Sequence, residues 1–301
     1  MLECVPNVSE GRDGALLTDL ATACGPSLLD VHADHDHHRC VITLAGPGLR
    51  DAETAVASLA RTVASRIDLS EHEGVHPRLG VIDVVPFIAL DEDHELASDA
   101  ALAFADWLVG ELEVPVFLYD DADPKRRSLP ELRRDAFVKR GPDLGPRDPH
   151  PQLGATAVGA RPPLVAVNCW LDTNDLIVAR NIARDVREVN GGLPGVRALA
   201  LYLESQGVVQ VSMNLVDLPV TGLEVACSAV RLVAGRDDFD VTKVEIVGLM
   251  PAAELARCSD EFREWAGLSE DQTIEARLAA RDPADQEPAE QETADRELGG
   301  A

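Results

Sequence analysis

The second half of the chain constrains the fold most. Strand-like and helical patterns alternate there in a fixed order. LVAVNCWL at 164–171 reads as a strand, 174–189 as a helix, 197–204 and 208–215 as strands, 219–233 as a helix and 240–248 as a strand. Short apolar runs bounded by turn residues read as strands, and apolar residues three and four apart read as one helical face. The order β-α-β-β-α-β is that of a ferredoxin-like unit, an antiparallel sheet with both helices on one face.

The first half alternates as well. Leu2–Pro6 is a short strand, and a helix from Asp13 to Ala23 ends near Gly25. Ser27–Ala33 and Cys40–Ala45 read as a hairpin or as adjacent strands. Residues 50–67 form an amphipathic helix with Ala55, Val56, Leu59 and Val63 on its apolar face. LGVIDVVPFIAL, 79–90, is a largely buried strand apart from Asp83, followed by a helix over 94–112 and a strand at 114–119. Residues 120–163 read as a long irregular crossing with one short helix at 129–138, and loops of that length inside a compact fold are functional or disordered. The expected fold is therefore α/β (α+β): subdomains 1–163 and 164–265 with mixed or antiparallel sheets, helices on one face of each sheet, and a cleft between them. Residues 266–301, acidic and nearly free of large apolar side chains, are expected to be a disordered tail with no role in catalysis.

Charge and composition exclude several partners. The net charge is −26, and only Lys125, Lys139 and Lys243 are lysines among 27 basic residues. Such a field repels nucleic acid and anionic membranes. It also suits a cytoplasm of high salt, where screening removes self-repulsion. No apolar run reaches the roughly 18 to 20 residues of a membrane span, and the N-terminus has an acid at position 3 and no apolar core of a signal peptide. The six cysteines, without a C-x-x-C pair, read as reduced thiols of a cytoplasmic protein.

Four stretches hold chemistry. DVHADHDHHRC, 30–40, brings His32, His35, His37 and His38 together with Asp34 and Asp36. One reading is a metal site supporting a metal-dependent hydrolase; the other is a polar loop at a cleft edge, since one extended run rarely supplies a tetrahedral ligand set. In HEGVHPRLG, His76 precedes Pro77, which stiffens its backbone, and Gly74 and Gly80 permit close backbone approach. It is a turn histidine or a general base with an ordinary pKa near 6.5. PDLGPRDPHPQLGATAVGAR, 142–161, lacks a phosphate-binding glycine pattern and is a linker or an anion site offering Arg147 and Arg161. In QVSMNLVD, 210–217, strand alternation puts Gln210, Ser212 and Asn214 on one face, solvated or ligand-facing.

Taken in order, these stretches resemble the formiminotransferase domain family, folate-dependent enzymes of histidine breakdown. ECVPNVSEG (3–11), LLDV (28–31), HPRLG with DVVPF (76–87), PVFLY (115–119), PDLGP (142–146), GATAVGAR (154–161), QVSMNLVD and VEIVGLMP (244–251) carry the likeness. It implies two α/β subdomains around a folate cleft, a homodimer, and transfer of a formimino group between 5-formimidoyltetrahydrofolate and L-glutamate. Tetrahydrofolate would be a co-substrate and no metal is required. The family's catalytic histidine carries onto His76. Its folate-contacting segment carries onto Gly145, Pro146, Arg147, Asp148, Pro149, His150, Pro151, Gln152, Leu153 and Gly154. Because both substrates are anionic, Arg39 and Arg78 are candidates for gripping carboxylates through a planar fork. Nothing after residue 265 is long enough for a cyclodeaminase domain, so a monofunctional chain is expected. The chain departs from the family's Asp-Val-Asp by reading Asp30-Val31-His32, which leaves Asp34 or Asp36 to supply the acid, or glutamate not to be the acceptor. A non-catalytic folate-binding relative, or transfer of formyl instead, are the remaining alternatives.

Overall fold

The computed structural model describes residues 1–281 apart from Pro47, Leu49, Val75 and Glu92. In chain order the elements are β1 (Leu2–Cys4), β2 (Asn7–Val8), α1 (Gly14–Ala23), β3 (Leu28–Asp34), β4 (Arg39–Gly46), α2 (Asp51–Arg66), β5 (Ile82–Ala89) and α3 (His94–Leu112). Then come β6 (Val116–Asp120), α4 (Leu129–Asp135), β7 (Thr156–Ala160), β8 (Val165–Leu171), α5 (Leu176–Val186), β9 (Val196–Leu203), β10 (Val208–Leu215), α6 (Leu223–Ala234) and β11 (Val241–Val247). Three short helices, α7 (Ala252–Arg257), α8 (Asp260–Ala266) and α9 (Ile274–Ala279), close the described chain.

Local signals explain the boundaries. Asp13 caps α1 by accepting from the amides of Ala15 and Leu16, and Asp175 caps α5 at Ile177. Ser128 and Glu131 form a reciprocal capping box that starts α4. Helix α2 buries Ala55, Val56, Leu59 and Val63, the apolar face read from the sequence.

Two sheets result. The first has seven strands in the order β1-β4-β2-β5-β7-β6, with β3 on β4; β7 pairs in parallel with β5 and β6, and the other pairings are antiparallel. Helices α1, α2 and α3 cover one face through Leu20, Leu59 and Phe104 against Cys4, Ile42 and Phe87. Helix α4 covers part of the opposite face, where Leu132 packs with Val84, Phe117 and Tyr119. This corrects the expectation of helices on one face: Val84 and Val85 alternate, so β5 has an apolar side toward each layer. The second sheet is antiparallel in the order β11-β8-β10-β9, the ferredoxin-like arrangement, with α5 and α6 packed on its Val167, Val209 and Val211 face.

Two further expectations are corrected. The crossing segment is not wholly irregular: it contains β7, a buried strand between β5 and β6. Its sequence, TAVGA, lacks the β-branched run that marks a strand, because Tyr119 lies against it. A Cβ on Gly159 would come within 2.5 Å of that ring. The acidic tail does not begin at 266. Ile274 on α9 is buried with Leu29, Ala45 and Leu249, so the chain to residue 281 belongs to the fold. Residues 282–301 lie outside the described residues.

Candidate active site

The face of the first sheet that α4 only partly covers and the face of the second sheet away from α5 and α6 look at each other across a cavity of about 820 Å³, which α4 also lines through Leu129, Pro130 and Arg133. Alternation assigns its walls. Asn7, Arg39, Val41, Thr43 and Val84 come from the first sheet; Asn168, Ser212 and Asn214 from the second. A cleft of this size is typical of small-molecule sites.

His76 lines this cavity. Its loop is held by the contact of Gly80 with Gly154. A Cβ on Gly80 would lie 2.4 Å from the carbonyl oxygens of Leu153 and Ala155, and Gly154 has φ +73°. The His76 Nδ1 atom lies 2.7 Å from Arg39 Nη1 and 2.8 Å from the Pro77 carbonyl oxygen. A guanidinium only donates and a carbonyl only accepts, so one proton position on Nδ1 cannot satisfy both. Burial, with Arg39 beside the ring and Arg133 farther off, pushes the imidazole down to about 2 against a smaller opposing pull from Asp83. The ring is neutral at physiological pH.

Asp83 anchors both arginines. The sequence reading set it apart from its buried strand, yet it is 1% exposed. Arg133 Nη2 reaches its Oδ2 at 2.5 Å and Nη1 its Oδ1 at 3.2 Å, Arg39 donates at 3.1 Å, and the Leu79 amide donates at 2.7 Å. Burial alone would raise this carboxyl, but Arg133, Arg39 and the amide outweigh it and hold it below its usual value. Arg39 also donates to Asn7 Oδ1. Asp83 and Arg133 escaped the sequence reading; the available signal was one acid inside a buried apolar strand.

The histidine-rich stretch is the turn of the β3–β4 hairpin, and it joins the two subdomains. His37 Nε2 accepts from Gln210 Nε2 at 2.9 Å, and its ring centroid lies 6.0 Å from that of His76. Asp36 accepts from the Ser205 amide and hydroxyl at 2.9 and 2.7 Å. His38 stacks on His72 and lies 3.3 Å from Glu10, turned away from His37. His32, Asp34 and His37 line the cavity. Among the described residues no three His, Cys, Asp or Glu side chains group as metal ligands would. Ser212 and Asn214 face the cavity and Gln210 meets His37, so the β10 alternation read from the sequence faces the site.

The other nominated residues divide. Arg39 lines the cavity; Arg78 does not. Its guanidinium donates to the carbonyl oxygens of His37, His38 and His76 and to His72 Nε2, which ties the His76 loop to the hairpin turn and leaves Arg78 a structural clasp. None of Gly145, Pro146, Arg147, Asp148, Pro149, His150, Pro151, Gln152, Leu153 and Gly154 lines the cavity. That segment folds on itself: the His150 and Gly154 amides and carbonyls bond reciprocally, and His150 Nδ1 accepts from the Gln152 and Leu153 amides. Its outer edge buttresses the His76 loop through Leu69 N to Gln152 O and Val81 N to Leu153 O, at 2.8 and 3.0 Å. Of the two arginines read from this region, Arg161 reaches the cavity and Arg147 does not.

This frame is matched by sequence over nearly its whole length. Residues 1–161 match the family described as "Formiminotransferase domain, N-terminal subdomain", and residues 166–280 match "Formiminotransferase domain". The chain belongs to the formiminotransferase family. It is 35% identical over 278 residues to a glutamate formimidoyltransferase of Streptococcus pyogenes serotype M1, covering 87% of this chain and 93% of that protein. A protein of the same name from Thermoplasma acidophilum is 33% identical over 296 residues, covering 92% and 97%. The formimidoyltransferase-cyclodeaminase of Mus musculus is 36% identical over 278 residues, 85% of this chain and 51% of that protein. No helix among the described residues is long and apolar enough to cross a membrane.

Proposed function

We propose that this chain transfers a formimino group between N-formimidoyl-L-glutamate and tetrahydrofolate, a step of histidine breakdown, with His76 as the proton carrier. One observation carries the reading: His76, the only histidine of the HPRLG motif, opens onto a cavity walled by both subdomains of a formiminotransferase fold. The names of the Streptococcus and Thermoplasma relatives support the substrate pair.

Transfer moves a carbon between two amines. The attacking nitrogen must lose a proton and the departing nitrogen must gain one, which a single neutral imidazole can do in turn. The competition at Nδ1 supplies the trigger. While Arg39 donates to Nδ1, the ring proton sits on Nε2 and no lone pair is free. A substrate carboxylate drawing on Arg39 lets Nδ1 keep a proton on the Pro77 carbonyl. Nε2, otherwise 3.3 Å from Arg39 Nη1, is then left with a free lone pair as the base. Arg197 lines the same cavity with no side-chain hydrogen bond or ion pair among the described residues, so it is a second grip for a carboxylate. Holding both amines together in one cleft lowers the entropic barrier. The same reading carries a cytoplasmic homodimer, checked by sedimentation and cell fractionation.

The test is incubation with N-formimidoyl-L-glutamate and tetrahydrofolate in concentrated KCl, following the formimidoyl-folate product. Wild type should form it and a folded His76→Asn variant should lose 100-fold or more, roughly the range for a general base. A folded wild type that transfers formyl but not formimino, or an H76N variant of full activity, would overturn the proposal.

A further inference from the structure

Glu3 is 4% exposed, lines the cavity, and receives no hydrogen bond or ion pair at its carboxyl among the described residues. Strand register places it beside Ala45 on one side and Ile88 on the other. Thr43, diagonal to it on the same face, has a buried hydroxyl with no partner. Burial pushes the Glu3 carboxyl up to about 7; of its charged neighbours Arg161 opposes that and Glu275 adds to it. Buried polar groups are almost always paired, so two orphans on one wall mark a place where a ligand completes the bonding. The surrounding wall is apolar and suited to a flat ring: Val5, Pro86, Leu249 and Ile274.

Which part of the substrates fits follows from distance and charge, and rests on the formimino reading. The reacting nitrogens must lie at His76, whose partner Arg39 is bonded to Asn7. Glu3 is four residues back along the same chain segment, roughly 13 Å at strand rise. The group at Glu3 is therefore a part that does not react. The glutamate side chain and the folate tail both end in carboxylates, which a buried carboxyl repels. The pyrimidine half of the pterin instead presents two adjacent N–H donors, at N3 and the 2-amino group, beside a carbonyl.

We infer that Glu3 is the pterin-recognition residue of this site, its carboxylate accepting from the N3 and 2-amino hydrogens while the Thr43 hydroxyl donates to the neighbouring 4-oxo group. The residue anchors the non-reacting edge of the ring so that N5 points toward His76.

The experiment measures binding of 6-methyltetrahydropterin, which lacks the benzoylglutamate tail, by calorimetry under anaerobic conditions, without turnover. Glu3→Gln should weaken it roughly 10- to 100-fold, the range for losing a charged hydrogen bond. T43V should weaken it less. Because E3Q removes an uncompensated buried carboxyl, its ligand-free melting temperature should equal or exceed that of wild type, which separates lost recognition from a damaged fold. The KM for tetrahydrofolate should rise while that for N-formimidoyl-L-glutamate holds. Equal pterin affinity in wild type and E3Q, a rise confined to the glutamate-side KM, or a lowered E3Q melting temperature accompanying the binding loss would each overturn this inference. A wild type that binds no tetrahydropterin would instead sink the formimino reading beneath it.

Discussion

The interaction between Arg39 and His76 makes the most demanding prediction. The imidazole sits at about 2 because burial and the neighbouring guanidinium both oppose its charge. The two charge centres, on groups whose nitrogens are 2.7 Å apart, lie near 4 Å from each other. At an effective dielectric near 20 two unit charges at that separation interact by about 4 kcal/mol, which is about three pKa units. Arg39→Gln should therefore lift His76 clearly above its wild-type value, with burial still holding it below the ordinary imidazole range, and Asp83, released from one of its arginines, pulls in the same upward direction. The assay is an NMR titration of ring carbons in histidine-labelled protein, with the His76 signal assigned by its loss in H76N. In wild type that signal should not titrate above pH 4; in Arg39→Gln it should. Saturating L-glutamate added to wild type should move it the same way, because the carboxylate offsets Arg39. If His76 in Arg39→Gln stays as acidic as in wild type, the guanidinium is not what holds the base in reserve, and the substrate-triggered mechanism fails.

Other perturbations follow from the same geometry. Asp83→Asn leaves Arg39 and Arg133 buried without their shared counter-charge and should destabilise the protein by about 3 to 5 kcal/mol in urea melts; a loss under 1 kcal/mol would contradict it. His76 is neutral in the fold but protonates near pH 6.5 when unfolded, so its contribution is full above pH 6.5 and is lost as pH falls. The stability gap between wild type and H76N should therefore move against wild type by about 1.4 kcal/mol per unit between pH 6 and 5, read by chemical denaturation at each pH. With net charge −26, denaturation midpoints should rise from low to multimolar KCl, and equal midpoints would dispose of the high-salt expectation.

Much of the scaffold was legible because its elements carry local signals. Helix 94–112 was read to the residue, and the β-α-β-β-α-β order of the second half emerged as a four-stranded antiparallel sheet. What escaped depends on partners distant in sequence. Strand β7 is invisible in TAVGA until the Tyr119 ring is known to need Gly159 beside it. Asp83 stood out from its strand, yet the arginines that make its burial tolerable lie 44 residues before it and 50 after. Arg39 and Arg78 have the same chemistry in sequence; only the hairpin turn, whose carbonyls take up Arg78, separates ligand grip from clasp. His76 was legible for the opposite reason, since proline, glycine and the family motif are contiguous with it.

The charge pattern resolves a conflict in the functional reading. A protein of net charge −26 should repel the dicarboxylate and folate anions it is proposed to bind. The cavity reverses that sign locally: Arg39, Arg126, Arg133, Arg161, Arg187 and Arg197 all reach its walls. Of the acids on those walls, Asp121 pairs with Arg126, Asp34 sits against His37, and burial raises Asp120 toward its neutral form, which leaves Glu3 and Glu188; Asp83, behind the wall, is committed to Arg39 and Arg133. Screening then acts unequally. At about 1 M salt the Debye length is near 3 Å, which silences the exposed carboxylates, while partly buried arginines at contact distance from a ligand keep most of their attraction. High salt would thus lower the barrier to entry while leaving the grip inside largely intact. The acidic surface and the anion-binding cleft are then compatible features of one molecule, each governed by its own dielectric surroundings.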